Sequence, residues 1–211
     1  MTRTRTLLAS ACAVALTLSA CGGDGDGGPV LSVPQQAAGS YTVLTRGDAL
    51  GFGEAFYNAH GNSFVMLSTD DRQAATVVYQ TANGVTRRVP SASADVTLAY
   101  TAKSTGGFTA VAPASAAGAY TLRVGTEPAH FTLEASGKLA AGGSACTVSG
   151  QLNPSVTYGE AVEVQLSFSG CSGATGSFSG VAFGRTDQGT HVVRLVVHNQ
   201  QQVLDLLAFK S

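Results

Sequence analysis

Apolar and polar residues alternate with a period of two along most of this chain beyond residue 40. The clearest runs are 41–46, 96–101 and 162–168, of which the last reads VEVQLSF. This alternation is typical of half-buried antiparallel strands, because successive side chains of a strand point to opposite faces. Further strands are predicted at 52–58, 63–69, 75–81, 107–112, 119–124, 130–135, 145–152, 177–183, 190–198 and 203–209.

Turn sequences rich in glycine and asparagine separate most of these segments, as at Asn83 and Gly84. Many short strands joined in this way predict an all-β fold with little helix. A long open sheet exposes its edges, and closure removes them. We therefore expect an antiparallel meander that closes into a small β-barrel, with a two-sheet β-sandwich as the alternative. A membrane-embedded barrel is disfavoured because the strands are short, girdle aromatics are sparse and Trp is absent.

Three pairs of similar segments follow one another in the same order in the two halves of the chain. AAGSYTV at 37–43 matches AAGAYTL at 116–122 at five of seven positions. The other two pairs are VTLAYTAKS at 96–104 with VQLSFSGCS at 164–172, and TGGFTAVA at 105–112 with TGSFSGVA at 175–182. The repeat predicts a single β domain over residues 41–211, built from related halves at about 37–115 and 116–211. Because each half is small, we expect both to supply strands to one structure.

The first 20 residues have the features of a cleaved secretory signal peptide. Arg3 and Arg5 precede an apolar run from Leu7 to Leu18, which is too short to span a bilayer. The run ends in Leu18, Ser19, Ala20 and Cys21. This segment resembles the lipobox of bacterial lipoproteins at every position. The resemblance implies cleavage before Cys21, lipidation of Cys21 and attachment to the cell envelope, and Gly22 in the next position favours the outer membrane.

Residues 21–40 begin with the glycine-rich run GGDGDGGP after Cys21. This composition predicts a lipidated, flexible tether between the anchor and the β domain. Asp24 and Asp26 resemble the start of a calcium loop, but the later oxygen ligands of such a loop are missing. A solvated linker is the favoured interpretation.

Composition limits the partners of the mature protein. Loss of Arg3 and Arg5 leaves 10 of the 12 basic residues against 13 acidic ones, a formal charge near −3. No cluster of Lys or Arg is present, which argues against a nucleic-acid partner and against electrostatic binding to anionic lipid. The expected contact with the membrane is therefore the N-terminal lipid anchor.

Cysteine usage agrees with an oxidising compartment. Cys12 leaves with the signal peptide and Cys21 carries lipid, so Cys146 and Cys171 remain as an even pair. We predict that they form a disulfide bond. A reactive or metal-binding thiol is the alternative, but no CxxC spacing or nearby His supports it.

The second half carries a further resemblance. Its Gly-x-Tyr-Thr opening, the CTVSG segment at Cys146, and FSGC and FSGV around Cys171 and Phe178 resemble a group of small proteobacterial lipoproteins. The group implies a barrel-like fold and the cysteine pair, without an assigned activity. A similarity to the barrel lobes of transferrin-binding-protein-like surface lipoproteins rests on architecture alone.

No set of residues predicts catalysis, a cofactor or a metal centre. The four histidines, at positions 60, 130, 191 and 198, form no HExxH motif, and His60 is expected in a hairpin turn. Asp70 and Asp71 are expected in a solvated turn, and no GxSxG or phosphate-loop motif occurs. A metal site or an enzyme site assembled from distant strands stays open as an alternative.

Aromatic residues at 52–57 are the remaining candidates for a binding surface. Tyr57, Asn58 and His60 present polar groups that a ligand at a barrel mouth could contact, although Phe52, Phe56 and Tyr57 are more simply core residues. The sequence thus favours a non-enzymatic envelope lipoprotein that binds an envelope protein or surface component or supports envelope structure. The alternative is a barrel that holds a small apolar or glycan ligand, which requires an unfilled interior.

Overall fold

Seventeen strands and one short helix make up residues 28–211, which are the residues that the computed structural model describes. In chain order they are β1 (Leu31–Ser32), β2 (Gly39–Arg46), β3 (Phe52–Tyr57), β4 (Ser63–Ser68), β5 (Val77–Ala82), β6 (Val85–Val89), β7 (Val96–Thr97), β8 (Ala99–Thr105), β9 (Phe108–Thr109), α1 (Pro113–Ala116), β10 (Gly118–Val124), β11 (Glu127–Leu133), β12 (Lys138–Ala141), β13 (Thr147–Tyr158), β14 (Ala161–Cys171), β15 (Ala174–Arg185), β16 (Val192–His198) and β17 (Val203–Lys210). The predicted all-β fold is confirmed.

Strands β10 to β17 close into an eight-stranded antiparallel barrel, here called the barrel (residues 118–210). Each strand pairs with its sequence neighbour, and β17 closes the circle by pairing with β10. Alternate residues point inward and fill the interior, including Tyr120, Phe131, Phe168 and Phe178. The predicted closed barrel is therefore confirmed, and its interior is a packed hydrophobic core.

The first half of the chain forms a separate curved sheet, here called the N-terminal lobe (residues 28–112). Its strand order is β6-β5-β4-β3-β2-β8. The short strand β1 pairs in parallel with β7 and also contacts β6, so it lies across the gap between the two ends of the sheet. The N-terminal lobe has a hydrophobic core of its own on one face of this sheet, which includes Val43, Tyr57, Leu67 and Tyr79.

This arrangement differs from the expectation that both halves supply strands to one barrel. All eight barrel strands come from residues 118–210, and the N-terminal lobe contributes only the two residues of β9, which extend the pairing at the end of β15. The reason is that each half pairs its long strands among themselves: in the N-terminal lobe β8 returns to pair with β2, and in the barrel β17 returns to pair with β10. The helix α1 connects the halves at the predicted boundary.

The first of the three sequence matches corresponds to the same local structure in both halves. Gly39 and Gly118 have φ values of 149° and 150°, a conformation that L-residues with a Cβ rarely adopt. Two residues later, the Tyr41 hydroxyl donates to the Ala37 carbonyl (3.0 Å) and the Tyr120 hydroxyl to the Ala116 carbonyl (2.6 Å). The other two matches fall on strands with different partners, since β8 pairs with β2 whereas β14 lies between β13 and β15.

The predicted tether is shorter than expected at its C-terminal end. Val33 is 6% exposed, the backbone N–H of Val30 donates to Asp95, and the Pro34 carbonyl accepts a hydrogen bond from the Tyr57 hydroxyl (2.7 Å). The prediction of a flexible linker is thus wrong for residues 31–40, because the apolar side chains there complete the core of the N-terminal lobe. Signal residues 1–20, Cys21 and the glycine-rich segment up to residue 27 lie outside the described residues.

Candidate binding cleft between the two lobes

The outer wall of the barrel packs against the N-terminal lobe through a hydrophobic interface. Phe56 contributes most from the lobe, with its ring centroid 4.8 Å from that of Phe183 and 5.2 Å from that of Phe108. Phe64, Met66 and Val78 from the lobe and Ala161, Val181 and Val196 from the barrel complete the same buried cluster. The two lobes are therefore joined by a hydrophobic core, with polar groups on either side of it.

A buried ionic network borders one side of this interface. Arg194 donates from Nε and Nη2 to both carboxylate oxygens of Asp205, at 2.8 and 2.6 Å, and from Nη1 to Glu54 at 3.0 Å. Arg185 also binds Glu54, and Asp205 accepts the backbone N–H of Ala75 at 2.6 Å. Glu54 and Ala75 belong to the N-terminal lobe and the others to the barrel, so the network fixes how the lobes dock.

Burial sets the protonation preferences in this network. Desolvation raises the pKa of the Glu54 carboxyl, although the guanidinium groups of Arg194 and Arg185 oppose this effect. Burial also works against the charged form of Arg194, but the Asp205 hydrogen bonds and the Glu54 carboxylate raise its pKa above the ordinary value. The guanidinium group therefore stays charged and holds its two carboxylates in place.

An open cleft of about 920 Å³ lies on the other side of the interface. Its floor is the outer face of β13 to β16, where four polar residues stand side by side on adjacent strands. Gln151 pairs with Gln165, Gln165 with Ser179, and Ser179 with His198. Because neighbouring strands are about 4.8 Å apart, the first three members of the row, Gln151, Gln165 and Ser179, place a polar side chain at each such step along the floor. Ser167 and Ser177 form a second, shorter row beside it.

A glycine allows the strands of the floor to come together. A Cβ atom on Gly180, next to Ser179, would lie only 2.0 Å from the Val196 carbonyl oxygen. Only glycine fits this position without moving the backbone. Gly180 pairs with Val164 and Val197, which lie in the barrel core, so its missing side chain lets the backbones of β15 and β16 come close while Ser179, the preceding residue, points outward into the cleft.

The facing wall of the cleft comes from the N-terminal lobe. It combines apolar side chains, among them Leu31 and Val89, with the polar residues Gln80 and Arg87. The Arg88 guanidinium is already committed, since it binds Asp48 (3.0 Å) and the Pro90 carbonyl (2.6 Å). Arg87 is exposed and forms no ion pair within residues 28–211.

His198 lies where the cleft meets the buried interface. Its side chain is 7% exposed, its ring stacks on Phe64, and its Nε2 is 3.0 Å from the Gln80 amide oxygen. Burial lowers the pKa of His198, so the imidazole is held in its neutral form. The other ring nitrogen, Nδ1, is buried without a hydrogen-bond partner in the part of the chain that the structure describes.

Of the residues singled out at 52–60, Phe56 and Tyr57 are core residues and His60 lies in a turn, whereas Phe52 begins β3 and is 37% exposed. Phe56 lies in the interface, and Tyr57 is fully buried inside the N-terminal lobe, where its hydroxyl binds Tyr100 and burial raises its pKa to about 12. Asn58 accepts the backbone N–H of His60 at 2.9 Å, which confirms His60 as an exposed turn residue. The hypothesis of a ligand site around Tyr57 at a barrel mouth is therefore wrong.

The interior of the barrel is filled with side chains and leaves no space for a ligand. Large side chains from all eight strands meet in the interior, and Leu122, Leu152 and Leu195 are among the most deeply buried. The alternative of a ligand-holding barrel required an unfilled interior. Any ligand of this protein is therefore better placed between the lobes than within the barrel.

The predicted disulfide bond between Cys146 and Cys171 is present. Cys146 directly precedes β13 and Cys171 ends β14, so the bond fastens the two strands that carry Gln151 and Gln165. The bond thereby supports the floor of the cleft at one end of the strand pair.

The residues of the floor were not recognised from the sequence. Their only signal is that Gln151, Gln165 and Ser179 occupy polar positions of three predicted strands. Alternation predicts that each of them points outward, but it does not give the register that aligns them in one row. Nor does it show that the N-terminal lobe faces them.

Among residues 28–211, no three His, Cys, Asp or Glu side chains are grouped so that they could hold a metal ion. None of the helices in this range is long and apolar enough to cross a membrane.

No family model matches the chain, and comparison with the curated proteins and with the solved structures gives no match.

Proposed function

We propose that this chain is a lipid-anchored bacterial envelope protein, in the outer membrane, that acts by binding rather than by catalysis. The anchor rests on the Leu18-Ser19-Ala20-Cys21 segment and its resemblance to the lipobox. Pro29, eight residues after Cys21, lines the cleft between the lobes. A chain of this length reaches at most roughly 27 Å when extended. The cleft therefore stays close to the membrane surface when Cys21 is acylated.

The cleft is the observation that carries the proposal of binding. A volume of about 920 Å³ lies within the range of small-molecule and cofactor sites, about 300–1,000 Å³. Its lining combines apolar side chains with convergent donors and acceptors from Gln151, Gln165 and Ser179, which is the usual composition of a binding site. The buried interface and the Arg194 network hold the two walls at a fixed separation, which favours recognition of one shape of ligand.

The anchor is tested by labelling growing cells with an alkyne fatty acid. The wild-type chain is expected to take up the label and to fractionate with the outer membrane. Cys21→Ser is expected to lose the label and to leave the membrane fraction. Uptake of label by Cys21→Ser, or a wild-type chain that remains soluble, would contradict the anchor.

Binding in the cleft is tested with a photo-crosslinking amino acid incorporated at Gln165 in intact cells. Thr132, which is exposed on the outer face of β11, provides the matched control position. Irradiation is expected to give defined adducts at position 165 and none at position 132. The same adducts at both positions, or none at either, would show that the cleft is not a binding site.

A further inference from the structure

The two walls of the cleft differ in chemistry, and this difference restricts the ligand. The floor offers hydroxyl groups from Ser167 and Ser179, the side-chain amide of Gln165, and the side-chain amide oxygen of Gln151, whose Nε2 already donates to the Ser136 and Leu152 carbonyls. The facing wall offers apolar surface from the exposed Pro29 and the half-buried Leu31. A ligand that fills the space therefore needs one edge rich in hydrogen-bonding groups and one apolar face. A sugar ring has this property, since its hydroxyl and acetamido groups project around its edge while its C–H bonds form an apolar face.

Charge restricts the ligand further. Among the described residues that line the cleft, none is Asp or Glu. The imidazole of His198 is neutral and Arg88 is bound to Asp48, so the exposed guanidinium of Arg87 is the charge left for a ligand. A neutral ligand is tolerated and one with a carboxylate is favoured, because Arg binds carboxylates through paired hydrogen bonds. A cationic ligand finds no counter-charge.

From these features we propose that the cleft binds a segment of cell-wall glycan whose sugars carry N-acetyl groups and carboxylates. This inference rests on the proposed binding function of an envelope protein and names its ligand. The acetamido groups hydrogen-bond to the glutamines and serines of the floor, the sugar faces pack on Pro29 and Leu31, and Arg87 binds a carboxylate. Consecutive sugars then follow the row from Gln151 to Ser179.

An extended peptide added to the edge of β6 is the competing occupant. The edge is available in principle, because β6 pairs only with β5 within the described residues. However, β1 lies against β6, which leaves little room for a further strand. The floor also lacks the apolar pockets that usually anchor the side chains of a bound peptide. These features favour the glycan.

The test uses the full chain carrying Cys21→Ser, and heteronuclear NMR follows its backbone amides. Three probes are compared: N-acetylchitotetraose, a tetrasaccharide of alternating N-acetylglucosamine and N-acetylmuramic acid, and a cell-wall stem peptide without sugar. Both glycans are expected to shift the amides of Gln165, Ser167 and Ser179, and the muramic-acid probe is expected to bind more tightly. The stem peptide is expected to leave these amides unchanged.

Two variants separate the contribution of the floor's hydrogen bonds from that of the Arg87 charge. Gln165→Ala/Ser179→Ala is expected to weaken both glycans at least tenfold, whereas Thr132→Ala leaves them unchanged. Arg87→Ala is expected to weaken only the probe that carries carboxylates. Absence of shifts with both glycans, or shifts with the stem peptide alone, would overturn the proposal. If crosslinks at Gln165 persist while both glycans fail to bind, the binding function stands and the glycan assignment falls.

Discussion

Arg194 and Asp205 illustrate how single residues join the two lobes. Asp205 was expected in a strand over 203–209, and it does lie in β17, but alternation alone would leave an outward-facing carboxylate in solvent. Instead, its side chain is only 4% exposed, because the N-terminal lobe covers it and the Ala75 N–H donates to it. Sequence patterns could predict the strand and the face. Sequence patterns could not predict that the N-terminal lobe would cover Asp205, because this depends on contacts between residues 130 positions apart.

We expect Asp205→Asn to destabilise the protein by roughly 3 kcal/mol, because it breaks the paired hydrogen bonds to Asp205 and leaves Glu54 as the one remaining carboxylate partner of Arg194 among the described residues. Urea denaturation followed by circular dichroism measures this change. Glu134→Gln is the matched control, since Glu134 pairs with Lys138 at 3.6 Å on the surface, with both side chains largely exposed. Glu134→Gln should lower the free energy of unfolding by less than about 1 kcal/mol. Equal effects of the two substitutions would contradict a structural role for the buried network.

His198 gives a prediction about pH. Burial lowers its pKa in the folded protein below the ordinary value of 6.5, so the unfolded chain binds more protons as the pH falls through that region. The free energy of unfolding should therefore decrease as the pH drops below about 6.5. His198→Gln should show a shallower decrease in the free energy of unfolding than the wild type between pH 7 and pH 5. An unchanged slope in His198→Gln would refute this assignment.

At the scale of elements, the sequence predicted where strands lie better than it predicted which strands pair with each other. Segments with strict alternation, such as 162–168, became strands in the structure, whereas the short strand β12 was missed because its sequence, KLAA, has no clear alternation. The segment 107–112 was expected to be one strand. Only Phe108 and Thr109 pair there, and α1 begins at Pro113, which suits the first turn of a helix. Local sequence thus specifies extended backbone, while the length of a strand depends on the neighbour with which it pairs.

The disulfide bond between Cys146 and Cys171 is expected to stabilise the pairing of β13 with β14. It joins residues 25 positions apart at the ends of β13 and β14. Replacement of Cys146 and Cys171 together by Ala should lower the free energy of unfolding by about 2–4 kcal/mol. The measurement is chemical denaturation with and without reductant. Reductant should destabilise the wild type and leave the double variant unchanged, and a wild type that is insensitive to complete reduction would contradict the prediction.

At the scale of the whole molecule, the fold class was predictable but the division into lobes was not. The repeat marked the boundary near residue 116, where α1 connects the halves. The size of each half suggested a shared core, yet the N-terminal lobe and the barrel have separate cores joined by a third cluster around Phe56 and Phe183. The cleft exists only because two such bodies dock side by side. No local pattern in the sequence encodes that contact.

The central claim is that this cleft is occupied in the cell envelope, and cysteine accessibility tests it most directly. Cys146 and Cys171 are paired and Cys21 is expected to be acylated, so Ser167→Cys supplies one free thiol on the cleft floor and Thr132→Cys supplies one on the opposite surface. Maleimide should label position 167 several-fold more slowly in intact envelopes than in the purified protein, and position 132 at the same rate in both. Equal labelling of position 167 in envelopes and in the purified protein would contradict the account.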